Sequence, residues 1–203
     1  MKISILYLLT VTGLFMGYGC SSKPDSNKTA EETNDSLVEQ ATPVQAERLA
    51  ADSKSNAKDV AEFMIALADA GQTIRALSEL AVERATDPAV KAFARQAIDQ
   101  QRTREIALTD AAQTFTIVLP KTLSTDSQTR LGQLRDEKTG PNFDRAYLRD
   151  VVFVNDQATG KTKSLTKNAD SPAVKNLALT ISADSEKQMK EAEGLMKGMI
   201  NDE

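Results

Sequence analysis

Apolar residues recur along this chain at three- and four-residue steps in four long stretches, the spacing of one buried helical face. The first is predicted over residues 57–85, with Val60, Phe63, Met64, Leu67, Ala70, Ile74, Leu77, Leu80 and Ala81 inward. Gly71 marks a place where it can kink or break. The second spans 88–113, with Val90, Phe93, Ala94, Ala97, Ile98, Leu108 and Ala112 inward. The third spans 143–168 and turns Tyr147, Val151, Val154 and Ala158 inward. The fourth spans 172–200, with Val174, Leu177, Ala178, Ile181, Met189, Ala192, Leu195, Met196 and Met199 inward.

The punctuation between these stretches is repeated. Ala85-Thr86-Asp87-Pro88-Ala89-Val90-Lys91 returns as Ala169-Asp170-Ser171-Pro172-Ala173-Val174-Lys175, identical at five of seven positions. Asp87 and Ser171 are N-cap residues, and Pro88 and Pro172 occupy the first helical position, where a missing N–H costs nothing. Each copy therefore folds one helical hairpin. The hairpins are joined by residues 114–142. Ile117-Val118-Leu119-Pro120 reads as extended, and Ser124 or Asp126 can cap a short helix through Leu131 and Leu134 that ends near Gly140-Pro141. A connection this long suits a crossover returning along the bundle. The expected fold is all-α: a ferritin-like four-helix bundle of two hairpins with a long central crossover carrying a short helix.

The N-terminus has a different pattern. Met1-Lys2 is followed by an apolar run from Ile3 to Phe15, then Gly17-Tyr18-Gly19-Cys20. A charged start, an apolar run and small residues form a secretory signal. Gly19-Cys20 resembles a bacterial lipobox, although Gly17 stands where Leu is commoner. The alternative, an uncleaved membrane anchor, needs about 20 apolar residues, more than this run supplies. The expected organisation is a lipoprotein signal peptide at 1–19, a lipidated Cys20 with a flexible tether over 20–56, and the bundle at 57–203. In the tether, Leu37-Val38 and Leu49-Ala50-Ala51 are minor apolar spots, enough for transient helix only. Ser21 after Cys20 resembles an outer-membrane sorting signal, which points to the periplasmic face of that membrane.

Composition narrows the chemistry. The chain has 203 residues, a formal net charge of −4, one Cys and no His. No intramolecular disulfide can form, and no His-dependent triad or His-containing metal site exists. The mild acidic excess gives no footprint for nucleic acid. Gly160-Lys161-Thr162 matches the end of a phosphate-binding loop but lacks its upstream Gly and strand-to-helix setting. The alternating Lys and Glu residues of 186–197 read as a solvated helix face, and Met189, Met196 and Met199 as adaptable core.

Three inward positions are polar. Gln101 is in step with Ala94, Ala97 and Leu108; Asn155 with Val151; Gln188 with Ile181, Ser185 and Ala192. Gln101 lies about as far after Pro88 as Ile74 lies before it, and Gln188 about as far after Pro172 as Asn155 before it. The four therefore fall at one level near mid-bundle. Phe63, Ala70-Gly71, Leu80-Ala81, the Pro88–Ala94 run, Leu119-Pro120, Gly140-Pro141-Asn142-Phe143-Asp144, Tyr147 and Val174-Lys175-Asn176-Leu177-Ala178 occur in an order that resembles the exported bacterial family called domain of unknown function (DUF) 4142. The resemblance implies a ferritin-like bundle. It also implies Glu near Ile74 and His at Gln101, Asn155 and Gln188, the residue types of a ferritin-like metal site. Neutral amides are poor substitutes for imidazole, so neither a metal nor another cofactor is expected. The amides are expected to hydrogen-bond one another or water.

Two functions are carried forward. One is a lipid-anchored envelope module, structural or interacting with an envelope protein, without catalysis. The other is a diverged ferritin-like binder of a metal or small ligand. The mid-bundle layer discriminates between them. The anchor has its own test: Cys20→Ala should release the protein from membranes or block its processing, and continued lipid labelling of that variant would refute it.

Overall fold

A computed structural model describes residues 24–40, 54–168 and 171–201. The expected signal and Cys20 lie outside the described residues. Six helices appear among those described: α1 Ser26–Gln40, α2 Lys54–Arg84, α3 Pro88–Thr114, α4 Thr125–Asp136, α5 Pro141–Asn168 and α6 Pro172–Asn201. No helix among the described residues is long and apolar enough to cross a membrane.

The fold is the expected all-α bundle of two antiparallel hairpins, α2–α3 and α5–α6. The α2 helix also packs on α5, and α3 on α6, closing a four-helix ring. The first hairpin turn is built as its sequence dictates. The Asp87 side chain accepts from the Ala89 N–H at 2.7 Å, with Pro88 opening the helix. At the second turn the Ser171 hydroxyl accepts more weakly from the Val174 N–H, at 3.4 Å. The α4 segment lies in the crossover, capped by Ser124.

Two carboxylates, Asp144 buried and Asp69 half-buried, tie the elements together. Asp144, in the first turn of α5, accepts from the Thr86 and Asp87 N–H groups and from the Thr86 hydroxyl at 2.8–3.1 Å. It ties the start of the second hairpin to the turn of the first. Asp69 of α2 accepts from the Ser124 N–H and from the Ser124 and Ser127 hydroxyls at 2.8–2.9 Å, which docks the start of α4.

Apolar packing forms two blocks. The lower contains Phe63, Met64, Leu67, Leu108, Val174 and Ile181. The upper contains Ile74, Leu77, Phe93, Phe143, Tyr147 and Val151. In the upper block Tyr147 meets Phe93 edge-on at 6.1 Å and shares a 2.9 Å hydrogen bond with Ser78. Burial pushes the Tyr147 phenol above the usual tyrosine range.

Two expectations are corrected. Gly71 does not break its helix, since α2 runs unbroken from Lys54 to Arg84. A Cβ at Gly71 would stand 3.2 Å from Gln101 Oε1, so this glycine serves close approach between α2 and α3. Residues 26–40, assigned to a flexible tether, form α1 against α2. Its apolar content is small, and only Ala30 and Val38 are buried hydrophobics. What composition hid is a polar clamp. Asn34 donates to the Val118 carbonyl at 2.9 Å and accepts from the Val118 N–H at 2.8 Å. Asp25 accepts from the Asn27 N–H at the helix start and from the Thr125 N–H. That second bond holds the Asp25 carboxyl below the usual aspartate range. The α1 helix thus fastens both ends of the 118–125 segment.

Hydrogen bonds to a charged acceptor are each worth about 1.5–3 kcal/mol. Asp144→Ala should therefore lower stability by roughly 2–4 kcal/mol, read as a fall in urea midpoint at unchanged slope. A loss under about 1 kcal/mol would contradict the role given to Asp144 as the clamp between hairpins.

Candidate functional site

The division between the two apolar blocks coincides with the polar layer. Gln101, Asn155 and Gln188 are 3%, 1% and 1% exposed, and Ile74 is buried beside them in the upper block. Only two of the three amides meet. Asn155 Nδ2 donates to Gln188 Oε1 at 2.8 Å and to the Val151 carbonyl at 2.9 Å. Gln188 Nε2 then donates to Gln100 Oε1 at 3.1 Å, so Gln100, not Gln101, completes the chain of amides. Gln101 instead turns its side chain toward Gly71.

Gln101 belongs to a cavity of about 330 Å³ beside this layer. Its apolar walls include Leu67 and Ala68 of α2, Leu108 and Ala112 of α3, Ala158 of α5 and Ile181 of α6. Ile117, Leu119 and Pro120 of the crossover close one side. Those crossover residues flank Val118, the residue that Asn34 of α1 clamps. The crossover leaves α3 through a strained residue, because Thr116 takes φ 57, a left-handed conformation unusual for a β-branched side chain. The Ile117 N–H bonds back to the Ala112 carbonyl at 2.8 Å, the reverse bond of a helix C-cap that glycine usually serves.

The polar lining is under-satisfied. Gln101 Nε2, Asn155 Oδ1, Ser185 Oγ, and Arg104 Nε and Nη2 are buried with no hydrogen-bond partner among the protein's own groups, and all four residues line the cavity. Leaving a buried donor or acceptor unmet costs about 1–3 kcal/mol each. These groups face the cavity, where water or a bound ligand can meet them. The Arg104 side chain is only 14% exposed, and its nearest carboxylate, Asp184 Oδ2, lies 3.7 Å from Nε. Burial pushes the guanidinium below the usual arginine range, and Asp184 opposes that shift. At the mouth, Arg75 of α2 pairs with Glu105 of α3 at 3.1 Å, both well exposed.

As a metal site the layer does not fit. The Asn155 and Gln188 amides already bond each other, and Ile74 offers no donor. Among the described residues no group of three or more His, Cys, Asp or Glu is placed to hold an ion.

A family model described as "Domain of unknown function (DUF4142)" matches residues 44–195. The chain belongs to this DUF4142 family. Its match begins after α1, so the helix that clamps the crossover precedes the family segment. The DUF4142 bundle is similar to a solved structure, the crystal structure of a DUF305 fragment from Deinococcus radiodurans. That likeness has a TM-score of 0.62 at 16% identity over 68% of this chain and 95% of the fragment. It shows a shared helical fold. No curated protein matches the chain.

Of the residues singled out from sequence, Asp87, Pro88, Ser171 and Pro172 stand at the two turns. Gln101, Asn155, Gln188 and Ile74 stand at mid-bundle. Arg104 was missed, although it completes the inward series Ala97, Gln101, Arg104, Leu108.

Proposed function

We propose that this DUF4142 chain is a lipid-anchored cell-envelope protein whose bundle binds a small organic ligand in the cavity beside Gln101. One observation carries this reading: a cavity with mostly apolar walls into whose lining four under-satisfied polar residues are gathered. Cavities of this size lie at the lower end of the range for small-molecule sites, about 300–1,000 Å³. A few convergent polar groups in an apolar enclosure give such sites their orientation and specificity.

Binding is favoured over catalysis by the charged lining. Its ionisable side chains are Arg75, Arg104, Glu105 and Lys121. Arg75 and Glu105 pair with each other, and Arg104 is too basic to exchange protons near neutrality. The anchor at Cys20 would hold the bundle beside the membrane, and the periplasmic face of the outer membrane is the placement that Ser21 suggests. The interaction-module reading rests on the anchor and its tether, whereas the ligand reading also accounts for the cavity lining.

The test uses the mature chain from residue 20, with Cys20→Ala to leave it unlipidated. This chain contains every described residue. It has no Trp, so an uncharged apolar fluorophore such as N-phenylnaphthylamine reports binding on a low background. One probe per chain is expected, and Ala112→Phe, which pushes a ring into the cavity, should abolish binding. Absence of binding, or binding undiminished in a folded Ala112→Phe protein, would overturn the proposal.

A further inference from the structure

The cavity lining is chemically lopsided. Among its unpartnered atoms, Arg104 Nε and Nη2 and Gln101 Nε2 can only donate, and Ser185 Oγ can do so. Asn155 Oδ1 is the single obligate acceptor. Three side chains that donate are complemented by an oxygen-rich acceptor group. The guanidinium matches an oxyanion in particular, because its fork geometry suits paired oxygens.

Charge then sets the head group. Arg104 carries a permanent positive charge, and Asp184 lies too far from it, at 3.7 Å, for a full hydrogen-bonded pair. Arg75 is engaged by Glu105. The lining carries three cations, Arg75, Arg104 and Lys121, against Glu105 and the neighbouring Asp184, so one positive charge is left over and matches one negative charge on a ligand, not two. Below the polar end the walls are Leu67, Leu108, Ala112 and Ile181. The lining residues of α3 run from Gln101 to Gln113, a span of roughly 18 Å at helical rise. That length accommodates a medium-length hydrocarbon chain.

We infer that the ligand is an amphipathic monocarboxylate, its head group held by Arg104 with Gln101 and Ser185, its chain lying between Leu108 and Ile181. The inference rests on the cavity being a ligand site and adds the class of ligand. Binding such a molecule supplies the hydrogen bonds that Arg104, Gln101 and Ser185 lack and leaves the Asn155–Gln188 bond intact.

The experiment is displacement of N-phenylnaphthylamine from the same mature Cys20→Ala chain by four ten-carbon amphiphiles: decanoate, decanol, decyl phosphate and decyltrimethylammonium. Decanoate should compete at least about tenfold better than each of the others. Arg104→Gln should erase the advantage of decanoate over decanol, with helicity by circular dichroism confirming the fold. Arg104→Lys, which keeps charge but not the fork, should retain part of it and serves as the second variant if Arg104→Gln does not fold. Equal competition by decanol and decanoate would overturn the carboxylate while leaving the ligand site standing. So would superior decyl phosphate, or an advantage that survives in both variants. A probe that fails to bind at all would overturn both.

Discussion

A polar side chain buried in a helical bundle has to find its hydrogen bonds inside the bundle, and this constraint divides the molecule. The core does not run continuously from one end to the other. It is interrupted at the level of Gln101, Asn155, Ser185 and Gln188, with apolar blocks above and below. Asn155, Gln188 and Gln100 form a hydrogen-bonded chain across three helices that leaves Asn155 Oδ1 facing the cavity. Gln101, Ser185 and Arg104 do not close such a network and instead line a cavity. An apolar core of the same shape would avoid the cost of unmet donors. Their retention next to a void makes binding, not stability, the economical explanation.

Polar and small residues also fix the elements around that interruption. Asp144 joins the two hairpins at one end, and Asp69 pins the crossover helix against α2. From outside, α1 grips the Val118 backbone, next to two cavity-wall residues. Gly71 lets the Gln101 side chain approach α2 closely.

Helix limits were legible because their signals are local. The twin Pro-Ala-Val-Lys stretches carry cap and first-turn residues, and the helices begin at Pro88 and Pro172 as those residues require. The level of the polar layer was legible by counting outward from the turns, since antiparallel hairpins preserve such counts. Three things were not. The α1 helix docks through Asn34 and Asp25, and hydrogen bonds to a distant backbone leave no apolar periodicity to read. Arg104 occupies an inward step, but a charged residue in an inward series reads as surface until burial is seen. The partner of Gln188 depended on side-chain direction, which placed Gln100 rather than Gln101 within reach.

The account turns on where a bound carboxylate lies. The most direct measurement is an isotope-filtered nuclear Overhauser spectrum of labelled mature chain with unlabelled decanoate. The predicted result is cross-peaks from the decanoate chain to the methyl groups of Leu67, Leu108 and Ile181, together with a shift of the Gln101 side-chain amide. Cross-peaks confined to exposed side chains, with the Gln101 amide unmoved, would contradict it.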